Sequence, residues 1–127
     1  MSTPTKKKTK KTKELQPPNS VQVGPVKVAV IHDELDSRRK YMQWDDTDSL
    51  GFFSAKHQYI VLDSDLPKDC MADTLVHEVM HAMFFQAGGR AHWDAEEEEK
   101  VVSLLSGPLT DTLRRNPQLV EYIMAGE

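Results

Sequence analysis

Midway along the 127-residue chain the spacing of apolar residues changes from two to 3.6, which restricts the fold more than any other feature. Before the change, Val21-Gln22-Val23 alternates, Gly24-Pro25 interrupts, and Val26 to Ile31 resumes the pattern of half-buried strands. Gly51–Ser54 and Gln58–Leu62 read as two further strands, joined by Ala55-Lys56-His57, about a hairpin loop's length. Residues 32–43 are charged, with a weak helical period through Leu35, Arg39 and Met42. After the change, Asp69 or a neighbour is expected to cap a helix running through Met71–Gln86 and stopping at Gly88-Gly89. Asp94-Ala95-Glu96-Glu97 has capping-box spacing for a second helix. Gly107-Pro108 should break or kink that helix, with Leu109–Arg115 continuing it, and Asn116-Pro117 precedes a short helix over Gln118–Met124. Strands followed by helices predict an α+β domain with helices packed on one face of a sheet.

Charge divides the chain differently. Residues 1–13 hold six lysines (Lys6, Lys7, Lys8, Lys10, Lys11 and Lys13) and no acid. Of sixteen basic residues, ten remain against twenty acidic ones, so the rest of the chain has a net charge of −10. A Lys/Thr-rich segment of this kind is expected to be a solvated, disordered tail, with residues 1–19 as tail and linker and 20–127 as the folded domain. Nucleic acid is a candidate partner only through that tail, since no helix–turn–helix pattern or aromatic interleaving accompanies it. No apolar run approaches the roughly 20 residues of a membrane span, and no signal-like stretch follows the basic start. Cys70 is the sole cysteine, so no internal disulfide can form, and a reducing cytoplasm is the expected compartment.

The chemistry concentrates in Leu75-Val76-His77-Glu78-Val79-Met80-His81, a His-Glu-x-x-His sequence in the middle of a predicted helix. Residues four apart stand one turn above each other, so His77 and His81 point the same way and can share one zinc ion. Glu78 lies about 100° around the helix, where it reaches a water at the metal without being a ligand itself. Two neutral imidazoles leave zinc needing one more protein ligand and one open position.

The acidic run Glu96–Glu99 offers that ligand. Val101, Val102, Leu104 and Leu105 define an apolar direction on the second helix. At about 100° per residue, Glu98 falls roughly 40° from it and Glu97 roughly 60°, while Glu96 and Glu99 lie about 140–160° away and should face water. Glu98 is therefore the expected third ligand and Glu97 the alternative, although Glu97 also holds the capping-box position. His92 is a further possibility, but it lacks both the metzincin spacing and a following glycine; it reads as a surface or supporting histidine. Met80, Met83, Phe84 and Phe85 read as core around the helix, Trp44 and Trp93 as packing or pocket walls, and Cys70 as an unreactive thiol.

Asp73 to Ala82, followed by Glu97-Glu98-x-x-Val101 and Leu113-Arg114-Arg115-Asn116-Pro117, resembles the small gluzincin-type metallopeptidases common in phage and prophage sequences. These are related in layout to minigluzincins and ImmA/IrrE-like peptidases. The resemblance covers roughly Val21 to Ile123. It implies a reduced zincin-like fold: a short twisted sheet, an active-site helix and a glutamate-bearing helix. It further implies a zinc-dependent endopeptidase acting on a peptide or protein, with one zinc per chain on His77, His81 and Glu98, and Glu78 as general base. An edge strand before the active-site helix would pair with substrate, and Gln58–Leu62 is the candidate. That family carries an acid one turn beyond its ligand, where this chain has Val102, so sequence assigns no partner to orient the histidines. Tyr59, His57, His92 and Tyr122 are candidate oxyanion donors. A catalytically idle, zinc-containing peptide-binding module is the competing expectation.

Overall fold

A computed structural model describes residues 15–33 and 50–126. The lysine-rich tail, Trp44 and most of the weak helical period after His32 lie outside the described residues; His32 and Asp33 themselves end a strand. β1 (Ser20–Val23) and β2 (Val26–Asp33) form an antiparallel hairpin. Its turn needs Gly24 at φ 57°, a left-handed backbone that costs glycine little. β3 (Gly51–Ser54) and β4 (Tyr59–Asp63) form the second hairpin, closed by the Gln58 N–H donating to the Ser54 carbonyl at 2.8 Å. β4 also lies parallel to β2, giving the order β1-β2-β4-β3. Three helices follow, α1 (Lys68–Gln86), α2 (Ala95–Arg115) and α3 (Pro117–Met124), with a 3-10 turn at Gly89–Ala91 between the first two. The domain is α+β, as the change of period implied. None of its helices is long and apolar enough to cross a membrane among the described residues.

Period-two patterning puts Val28, Val30, Ile60 and Leu62 on one face of the sheet, with Val30, Ile60 and Phe53 aligned across three strands. Met71, Leu75, Val79 and Ala82 of α1 pack on that face, a stripe at the i, i+4, i+8, i+11 spacing of a core-facing helix. Val28, Ile60 and Leu62 are fully buried, each contributing about 1.5–3 kcal/mol of transfer free energy. The opposite side of α1 meets α2, so α1 lies between the sheet and the second helix.

α1 starts earlier than expected: Pro67 occupies the cap position with no side-chain hydrogen bond, and Asp69 sits in the first turn. There its charge opposes the helix dipole's positive end without capping it. α2 does begin with the expected box, Asp94 accepting from the Glu97 N–H at 2.8 Å and Glu97 accepting from the Asp94 N–H at 3.0 Å. It then runs through Gly107 and Pro108 without ending. Proline removes one helical hydrogen bond, but Val102, Ser106 and Thr110 are buried on both sides of it and hold the helix across the gap. The effective stop is Asn116, with Pro117 opening α3 at a position where a missing N–H costs nothing.

The expected substrate-facing strand is also corrected. Gln58–Leu62 becomes β4, which pairs on both sides and has no open edge; β3 is the edge strand beside α1. β3 approaches α1 closely because Gly51 has no side chain. A Cβ there would lie 2.9 Å from the Val61 carbonyl oxygen and 3.0 Å from Thr74 Cγ2.

Candidate metal centre

α1 delivers His77 and His81 one turn apart, their rings 5.0 Å between centroids. Each imidazole engages a partner from α2 through Nδ1. His81 Nδ1 lies 2.5 Å from Glu98 Oε2, and His77 Nδ1 lies 3.5 Å from Ser106 Oγ. These contacts turn both Nε2 atoms toward a common point, where they meet Glu99. His81 Nε2 is 2.8 Å from Glu99 Oε1, and His77 Nε2 is 3.4 Å from Glu99 Oε2. One ligand atom from each of His77, His81 and Glu99 can be chosen so that all lie within 4.8 Å of one another.

The residue that converges with the two histidines is thus Glu99, not the expected Glu98. Glu98 is 2% exposed and sits behind His81, with its other oxygen accepting from Arg90 Nε at 3.3 Å. A carboxylate this deeply buried needs charged partners to be tolerated. Arg90 supplies the opposite charge, and the His81 ring adds a hydrogen bond at Nδ1. Leu104, Leu105 and Leu109 are 71%, 47% and 40% exposed, so the apolar direction of α2 is not the direction of its packing. The stripe against α1 is Glu98, Val102, Ser106 and Thr110, at four-residue spacing. Rotating the reference to that stripe brings Glu99 to the rim of the α1–α2 groove. The alternative, Glu97, is committed to the capping box, and His92 is an exposed residue after the 3-10 turn, outside the cluster.

Local charges suit cation binding. Burial lowers the His77 pKa, the neighbouring His81 lowers it further, and Glu99 only partly offsets this, which favours the neutral imidazole a metal requires. Burial raises the pKa of Glu99, but hydrogen bonds and charges outweigh it: Ser103 Oγ donates at 2.7 Å, His77 and His81 add their charges, and the carboxyl stays below its ordinary range. Glu78 is 6% exposed, and burial pushes its pKa up from 4.5 to about 7. The charge of His81 opposes that rise, Glu99 adds to it, and the Phe53 N–H donates to the carboxyl.

β3 forms one wall of the cleft. The Asp63 N–H donates to the Leu50 carbonyl, so by the alternation of an antiparallel ladder Gly51 and Phe53 turn their amides and carbonyls away from β4. Phe53 spends its N–H on Glu78. From His77, Glu78 and Glu99 the cleft extends two ways, toward Phe52, Phe53 and Arg90 on one side and toward Leu50 and Asp73 on the other. The four donors suggested by sequence line neither arm. His57 and Tyr59 stack on each other at the hairpin, 5.5 Å between centroids, and Tyr122 is 79% exposed on α3. Sequence reasoning missed Arg90, which faces the cleft from the 3-10 turn over the Phe85 ring. It also missed Ser106; the four-residue run of Glu98, Val102, Ser106 and Thr110 was the only available signal for it.

No family model, no curated protein and no solved structure matches the chain.

Proposed function

We propose that the chain is a zinc-dependent endopeptidase of the gluzincin type, with His77, His81 and Glu99 as metal ligands and Glu78 as general base. One observation carries the reading. Two imidazole Nε2 atoms and one carboxylate converge on a point beside a buried glutamate, and both imidazoles are held from behind through Nδ1. Two nitrogens and one oxygen, with room left for water or substrate, are the donor set of a catalytic rather than a structural zinc site. The supporting partners match what metal-bound histidines require, a hydrogen-bond acceptor on the second ring nitrogen.

Zinc, when bound, supplies a Lewis acid that polarises the scissile carbonyl and acidifies the attacking water. The chain's own residues do the rest. Glu78 takes a proton from water as the new C–O bond forms and returns it to the amine as the C–N bond breaks, leaving a carboxylic acid and an amine. Its raised pKa near neutrality suits a group that must both accept and give up that proton. The outward-facing backbone of Gly51 can align an extended peptide along β3 by strand addition.

Metal content and peptide hydrolysis measured together test the reading. About one zinc per chain is expected in wild type and in Glu78→Gln, with hydrolysis abolished only in the latter. Glu99→Gln should lose the metal, while Glu98→Gln should weaken binding about 10–100-fold, the usual effect of removing a supporting partner. A wild type that takes up no zinc refutes the proposal. So does a Glu99→Gln protein that binds it normally.

A further inference from the structure

The arm of the cleft away from Arg90 opens into a cavity of about 410 Å3. Leu50 and Gly51 wall it from the β3 side, Asp73 and Thr74 from α1, and Ser103 and Gly107 from α2. His77, Glu78 and Glu99 form its inner end, so whatever enters lies against the reacting groups. The walls are small and mostly polar. Among the described residues, no atom outside its own helix lies within 4 Å of where a Gly107 Cβ would be, which leaves that side open.

Beyond the catalytic cluster, Asp73 is the only charged side chain on these walls among the described residues. It sits four residues before His77, one turn along α1 and about 6 Å from it in rise. Its carboxylate is about half exposed, and its ion-pair partner is Arg114, 4.0 Å away and itself 54% exposed. A pair so long and so hydrated holds neither group firmly. The opposite arm differs: Arg90 lines it, with its charge already engaged by buried Glu98. An extended peptide along β3 would therefore meet a carboxylate on one side of the cut bond and a neutralised guanidinium on the other.

We propose that this cavity is a specificity pocket for a lysine or arginine side chain flanking the scissile bond, with Asp73 as its counter-charge. This deepens the peptidase reading and rests on it. The long apolar stem of either side chain passes Thr74 and Leu50, and the cationic end reaches Asp73, displacing its weak contact with Arg114. A glutamate side chain in the same place would face Asp73 and Glu99 together, so rejection of acidic residues adds to the attraction of basic ones.

The test uses alanine-based peptides differing at one central position, lysine, leucine or glutamate, with cleavage sites read by mass spectrometry. Zinc-loaded wild type should cut beside lysine with a kcat/KM at least about tenfold above that beside glutamate. Asp73→Asn should flatten this preference and Asp73→Lys should invert it. Equal wild-type rates, or a preference unmoved by either substitution, overturn the assignment while leaving peptide hydrolysis intact. Calorimetric binding of the same peptides to zinc-loaded Glu78→Gln supplies a readout without turnover. Tighter binding of the lysine peptide, lost in the Asp73→Asn, Glu78→Gln double variant, supports the pocket; equal binding of lysine and glutamate peptides refutes it. A wild type that binds the lysine peptide selectively yet cuts nothing refutes the peptidase reading and leaves the cation pocket standing.

Discussion

Glu78→Gln isolates what burying the Glu78 carboxyl costs the fold. Burial raises the Glu78 pKa from 4.5 to about 7. Between those values the folded chain holds a proton that the unfolded chain has released, so this group lowers wild-type stability as pH rises through the window. Below pH 4.5 both states are protonated and the penalty vanishes; above about pH 7 both have ionised and it is complete. Each pKa unit is worth about 1.4 kcal/mol, which makes the full penalty roughly 3 kcal/mol. Glutamine keeps the shape and can still accept the Phe53 N–H, but it never ionises. Urea denaturation of both proteins in chelator, from pH 4.5 to 8, measures the difference directly. The variant is expected to match wild type at the acid end and to exceed it by about 3 kcal/mol at pH 8. A difference that stays constant with pH would show that ionisation of Glu78 is not the destabilising element. The substitution that should abolish hydrolysis thus stabilises the metal-free fold, the trade-off expected where function requires a buried charge.

Gly51→Val should destabilise by about 1–3 kcal/mol in denaturant melts, because its Cβ would press on the Val61 carbonyl oxygen and Thr74; unchanged stability would contradict the close approach of β3 to α1. Ser106→Ala removes the hydroxyl 3.5 Å from His77 Nδ1 and should weaken zinc about tenfold in competition with a chromophoric chelator. Unaltered affinity would mean the hydroxyl does not orient the ring. Leu62→Ala should cost about 2–5 kcal/mol, since Leu62 is fully buried. Leu104→Ala should stay within about 0.5 kcal/mol, since Leu104 is 71% exposed; paired thermal melts compare the two, and equal losses would contradict the packing direction of α2.

Local patterning carried much of this fold. Alternation at Val21–Ile31 marks strands because side chains of a pleated strand alternate between faces, and one face is buried as the pattern requires, while the unbroken apolar run Tyr59–Leu62 becomes a strand buried on both faces. The Asp94–Glu97 box and the Asn116-Pro117 stop act within a few residues, so sequence reads them directly. The same holds for His77, Glu78 and His81, whose relative placement depends only on the helical repeat. What sequence left open lies between elements. Strand order is one such case: β4 enters the interior by pairing parallel with β2, and that leaves β3 at the cleft. Glu99 is another. The rotation of α2 is set by which stripe packs on α1, and it is the polar one that places Glu98 and Ser106 on the histidine Nδ1 atoms, while three apolar residues remain exposed. An apolar moment records where hydrophobic side chains point. It does not record that two imidazoles on a neighbouring helix need partners, and in this protein those partners decide which glutamate faces the cleft.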